Sequence, residues 1–139
     1  MRAGVLLAVA FCALGCGEDA ARRVRVESPA GELRLEVFVD EARTAEERMQ
    51  GLAGRDGLDP GEGLLLIFPA EGEVCIVNEA VPFAIDALFI DGAGTVGAVE
   101  RHIPAGDSTA RCHGATLEVL EVAAGVADPV RVGDQLVRE

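Results

Sequence analysis

The segment FAIDALFIDGAGTV, residues 83–96, decides the fold. Phe83 to Asp91 is too short for a free-standing helix and is apolar at almost every position, so it reads as a strand buried on both faces. Asp91-Gly92-Ala93-Gly94 then reads as a turn, because Asp bonds nearby backbone and Gly tolerates left-handed conformations. Thr95 to His102 continues as the hairpin partner. One charge interrupts the apolar run. Asp86 shares a strand face with Ala84, Leu88 and Ile90, while Ile85, Ala87 and Phe89 take the other. An acid on either buried face must be hydrogen-bonded, ion-paired or protonated.

Upstream, Gly63 to Phe68 (GLLLIF) is a second short strand of the doubly buried type. A charged turn separates it from Val74 to Asn78. Leu33, Leu35, Val37 and Val39 alternate with Arg34 and Glu36, the pattern of a strand with one buried face. The period changes at Thr44-Ala45-Glu46-Glu47, a capping box that predicts a helix of about three turns at most, with Gly54 as its stop. Met49 and Leu52 begin its apolar face. Downstream, Pro104 to Arg111 is a polar loop and Thr116 to Val122 (TLEVLEV) a strand. Val130 and Val132 lead into Gly133-Asp134, a tight connection before Leu136-Val137. The expected class is mainly β: a compact β-barrel or sandwich of about six to seven short strands with one inserted short helix. No internal repeat is visible.

The N-terminus reads MRAGVLLAVAFCALGC. Arg2 is a short positive head, and Gly4 to Leu14 is an apolar run too short to span a bilayer. Ala13-Leu14-Gly15-Cys16 places small residues before a thiol that can take a diacylglycerol. Residues 1–15 are therefore expected to be a signal peptide, Cys16 the lipidation site, residues 16–31 a polar tether and residues 32–139 a single β domain. The expected location is the cell envelope, on the outer membrane facing the periplasm if the host has two membranes. The membrane is then a partner through the anchor at Cys16.

Composition excludes some partners. The formal net charge is −12, every basic residue is an arginine, and Trp and Tyr are absent. Such a chain repels nucleic acid and anionic head groups, and it lacks the ring platforms of sugar-binding and single-strand-binding surfaces. Of the four cysteines, Cys75 and Cys112 remain in the domain. In an oxidising compartment they are either one disulfide or two separate buried thiols. Cys112 and His113 are adjacent, but strand neighbours point to opposite faces and do not easily share a proton. No CxxC, HxH or HExxH spacing groups metal ligands, and the glycine-rich stretches lack the Lys-Ser/Thr of a phosphate loop. Neither a metal nor a cofactor is expected.

The order of motifs resembles the domain of unknown function 192 family of prokaryotic proteins, over roughly Leu33 to Val137. The residues that carry the resemblance are Thr44, Glu46, Glu47, Arg48, Gly51, Leu52 and Arg55, in the pattern T-x-E-E-R-x-x-G-L-x-x-R. Gly63, Leu64, Leu65 and Phe68 follow. Ile85, Asp86, Phe89, Ile90, Asp91, Gly94 and Val96 match I-D-x-x-F-[LI]-D-x-x-G-x-V, and Leu120, Glu121, Gly125, Gly133 and Asp134 complete the series. The resemblance implies a compact β fold and no established activity or cofactor. One segment departs from it. Just before the I-D motif the family usually has Trp-Met-Lys-Asn-Thr or His-Thr-Phe-Gly-Met-Arg-Phe, whereas residues 76–83 read IVNEAVPF. Only Asn78 or Phe83 has a counterpart there.

Two functional readings follow. The first is a non-catalytic binding or accessory module of the envelope, with a protein or small ligand as partner. The second is an enzyme or ligand pocket centred on Asp86 and the Ile76–Phe83 segment, with Arg55 and Asn78 as candidate neighbours. A structural clamp is the competing role for Asp86, its carboxylate taking backbone N–H groups or an arginine such as Arg55.

Overall fold

The computed structural model describes residues 21–139. The expected signal segment and the expected lipidation site at Cys16 lie outside them. Seven strands and one helix follow in the order β1 (Arg22–Glu27), β2 (Leu33–Ala42), α1 (Ala45–Gln50), β3 (Glu62–Ile76), β4 (Ile85–Ile90), β5 (Val96–Ile103), β6 (Arg111–Ala123) and β7 (Gln135–Arg138). They form one sheet in the order β5-β4-β6-β3-β2-β1-β7. The sheet curls into a half-barrel. Its two ends meet where Val96 N–H donates to Asp134 O at 2.8 Å and Leu136 N–H to Gly94 O at 2.8 Å. The pair β2–β3 is parallel, and α1 lies in the crossover between them, as a parallel pair cannot be joined by a tight hairpin.

Four expected boundaries move. The tether expected over residues 16–31 ends earlier, because Arg22–Glu27 is β1, paired with both β2 and β7. Val24 and Val26 point into the core, while Arg23 and Arg25, which alternate with them, face outward. With only two apolar residues, the segment resembles a polar linker until the sheet supplies partners for its backbone. The helix is six residues long and ends at Gly51, which takes φ +49°, rather than at Gly54. Thr44 is its cap, the hydroxyl accepting from Glu47 N–H at 3.1 Å. Met49, expected on an apolar face, is 88% exposed, while Leu52 beyond the helix is buried. The strands expected at 63–68 and 74–78 are one long β3 whose pairing with β6 shifts register around Gly72. Finally, β6 starts at Arg111 rather than Thr116.

Both sheet faces are apolar, which follows from strands such as β4 in which every residue is buried. The inner face gathers Val24, Val26, Leu35, Val37, Val39, Leu65, Leu88, Ile90, Leu120 and Val122. The outer face gathers Leu64, Leu66, Val74, Ile76, Ile85, Ala87, Phe89 and Val119, with Leu52 packed over it. The central strands β3, β6 and β4 therefore present buried side chains in both directions, and any acid on them is enclosed whichever way it points.

Candidate functional site

Asp86 is 0% exposed and points to the inner face. Its Oδ1 accepts from His102 N–H at 2.8 Å; its Oδ2 accepts from Gly125 N–H at 2.9 Å and Ala127 N–H at 3.0 Å. The pairing of β4 with β5 slips at this point, with Ile85 opposite Ile103 but Ala87 opposite Glu100. A bulge of this kind leaves a backbone N–H without a ladder partner, and the Asp86 carboxylate takes it. His102 and Gly125 both hold positive φ, +50° and +93°. The carboxylate thus fixes two irregular backbone positions on two different segments.

The other residues expected beside Asp86 lie elsewhere. Arg55 pairs with Asp40, Nη2 to Oδ2 at 3.0 Å, beside α1. It cannot serve Asp86, which faces the opposite side of the sheet. Asn78 is buried, and its Nδ2 donates to Phe83 O at 3.1 Å and Pro104 O at 2.9 Å. Its Nδ2 thus staples the 79–83 loop to the turn after β5, while its buried Oδ1 has no partner among the described residues.

The enclosed acid that does meet a cavity is Glu121. It sits on β6, opposite Leu64 of β3 and Ala87 of β4, and shares the outer face with Val119. Only 6% of its surface is exposed. Burial among apolar neighbours pushes its carboxyl up to about 7, opposed by the positive charge of Arg55. At neutral pH the group therefore holds its proton about half the time. Glu121 forms one wall of a pocket of about 450 Å³ under α1. Ala45, Arg48 and Met49 contribute from the helix; Leu66, Phe68, Cys75, Ile76 and Val77 contribute from the β3 side. Ile76 and Val77 belong to the segment that departs from the family pattern.

Arg48 shapes this pocket. Its Nη1 donates to Ile67 O at 2.9 Å and also to Arg43 O, and its guanidinium lies 5.0 Å from the centre of the Phe68 ring. The contact with the ring face is favourable for a cation and ties α1 to β3. The charge is thereby held at the rim. The pocket thus offers an apolar body, a fixed cation at its edge and a carboxyl that can either donate or accept a proton. That combination suits binding and orientation of a small molecule.

In the sequence Glu121 stands out only as a strand residue and a member of the family pattern, with no site role. The signal was present in TLEVLEV: Glu118 and Glu121 are three apart, and residues three apart on a strand face opposite ways. Both are buried in the structure. Glu118 is paired with Arg138, while Glu121 is left to the pocket.

Cys75 and Cys112 are directly opposite in the β3–β6 ladder and joined as a disulfide, with their α-carbons 4.0 Å apart. The sulfur of Cys112 is thus no free nucleophile. His113 is turned away from it, with Nε2 2.8 Å from Glu100 Oε1 and its ring against Phe89. His102 lies apart, beside Asp128 at 3.4 Å. Among the described residues, one set of metal-ligating atoms comes together: those of Glu73, Cys75 and Cys112.

The model of the DUF192 family, whose description is uncharacterized ACR, matches residues 25–137. No curated protein matches the chain. A crystal structure from Sinorhizobium meliloti 1021, of a protein described as a candidate transcription regulator, is similar with a TM-score of 0.81. The two are 26% identical, over 88% of this chain and 98% of that one. A protein of unknown function from Novosphingobium aromaticivorans has the same fold, with a TM-score of 0.77 and 24% identity over 83% of each chain.

Proposed function

The chain belongs to the DUF192 family of uncharacterised proteins, and from that premise we propose that it is a membrane-anchored, non-catalytic envelope module that binds a small ligand in the pocket beside Glu121. The observation that carries this reading is a buried carboxyl, raised to about 7, in the wall of a cavity of about 450 Å³. A carboxyl with no bound partner would gain stability from solvent; keeping it under α1 costs the fold and makes sense as a recognition group. The expected ligand has an apolar body that fits against Phe68, Leu66 and Ile76, and one amine or hydroxyl that shares a proton with Glu121. The competing reading, an enzyme centred on Asp86, loses its acid, because that carboxylate is enclosed and already holds three backbone N–H groups. Nor does the description of the Sinorhizobium meliloti protein argue for nucleic-acid contact here, since this chain has a formal net charge of −12.

Ligand-detected and protein-detected NMR with two probes, n-hexylamine and n-hexanol, tests the pocket. Amide shifts are expected to cluster at Ala45 to Met49, Val77 and Glu121, and to weaken for the amine in Glu121→Gln. Shifts scattered over the surface, or unchanged by the substitution for both probes, would contradict the reading. The anchor rests on the apolar run ending at Cys16. Cys16→Ala is expected to move the protein from the membrane fraction to a soluble or unprocessed form. If the variant stays in the membrane fraction as a processed chain, the lipid anchor is wrong.

A further inference from the structure

We propose that the Cys75–Cys112 pair is, in its reduced state, a binding site for one thiophilic metal ion of the zinc type, with Glu73 as the third protein ligand. Cys75 also lines the pocket beside Glu121, but the Glu121 carboxyl is not among the proposed ligands and metal uptake does not require the pocket to hold a small molecule. Its basis is cross-strand geometry rather than sequence spacing. Glu73 and Cys75 are two apart on β3 and so face the same way. Cys112 sits directly opposite Cys75 on β6. The two sulfurs and a carboxylate oxygen lie within 4.8 Å of one another, and all three residues are exposed. Zinc bonds of about 2.3 Å to sulfur and about 2.0–2.2 Å to oxygen place neighbouring ligand atoms of a tetrahedron roughly 3.5–4 Å apart. Once the S–S bond is broken, that separation needs side-chain rotation only. The strands stay paired through Val74 with His113 and Ile76 with Arg111, and solvent exposure supplies water as the fourth ligand.

Opening the site takes one balanced redox step. A dithiol reductant transfers two electrons and two protons: the Cys75–Cys112 bond breaks, two S–H bonds form, and the reductant closes its own disulfide. A divalent cation then binds the two sulfurs as thiolates and displaces both thiol protons to solvent. In oxidising surroundings the disulfide occupies the sulfurs and the site is closed. Redox state therefore decides whether metal is taken up.

The test uses the full chain with Cys12→Ser and Cys16→Ser, so that only these two thiols remain. It is reduced with dithiothreitol, freed of reductant without oxygen and titrated with Cd2+, followed by the thiolate-to-cadmium charge-transfer absorption. One ion per chain is expected in the reduced protein and none in the oxidised protein. Glu73→Gln, which leaves the disulfide and the strands intact, is expected to weaken binding about 10-fold or more, and Cys112→Ser to abolish the two-thiolate band. Far-ultraviolet circular dichroism of the reduced chain should retain the β signature. A reduced chain that gives no band, that loses its β signature, or that binds equally well as Glu73→Gln overturns the proposal.

Discussion

Asp86→Ala is expected to lower the melting temperature by on the order of 10 °C or more. The substitution strands three backbone N–H groups, those of His102, Gly125 and Ala127. Each buried, unpaired donor costs roughly 1–3 kcal/mol, so the sum is about 3 kcal/mol or more against a total stability of about 5–15 kcal/mol. Two of the stranded groups also sit at positive φ, where the backbone holds its shape only while the surroundings enforce it. Asp86→Asn is expected to be milder. With its oxygen turned to Gly125 and Ala127, two of the three bonds survive, and only His102 N–H then faces an amide that cannot accept. Thermal unfolding of both variants beside the parent checks this. If Asp86→Ala melts with the parent, water or another group replaces the carboxylate and the clamp is not what holds the β4–β5 bulge.

Glu121→Gln is expected to have the opposite sign, and its effect depends on pH. The folded carboxyl titrates at about 7 against an ordinary value of 4.5. Below about 4.5 both folded and unfolded chains hold the proton and burial carries no charge penalty. As pH rises from 4.5 to about 7, the unfolded chain releases its proton before the folded one does, so stability falls. Above about 7 the folded carboxyl is ionised too and the loss levels off, at about 3 kcal/mol. A neutral Gln of nearly the same shape escapes this. The variant and the parent should therefore melt within a few degrees of each other at pH 4, with the variant clearly more stable at pH 8. Parallel curves across that range would mean that the carboxyl is solvated. The cost also explains why a pocket role is favoured: a group that destabilises the fold at neutral pH is offset only by what it binds.

Much of the fold was legible from local patterns. FAIDALFID announces a doubly buried strand because its apolar residues occupy both faces, and β4 is buried along its whole length. The capping box at Thr44 gives the start of α1 directly. Its end was less readable, since Gly51 and Gly54 are both competent stops and the choice depends on where Leu52 finds a core. β1 was invisible, because RRVRVE becomes a strand only when β2 and β7 flank it. The site was legible in a different way. Asp86 announced itself as an enclosed acid, but sequence alone does not say whether an enclosed acid meets backbone or a cavity. That depends on which face a strand turns toward α1, a tertiary property. A Cys75–Cys112 disulfide is one of two readings of the sequence, but that Glu73 joins the pair depends on the β3–β6 ladder, which brings Cys112 opposite Cys75.

The binding reading requires that Glu121, in the wall of the pocket under α1, keep its proton into the neutral range. Carbon-13 NMR of the glutamate carboxyls, with the Glu121 signal assigned by its loss in Glu121→Gln, measures this directly. A titration midpoint near 7 is the predicted result. A midpoint near the ordinary 4.5 would place the Glu121 carboxyl in water and remove the basis for a binding pocket there.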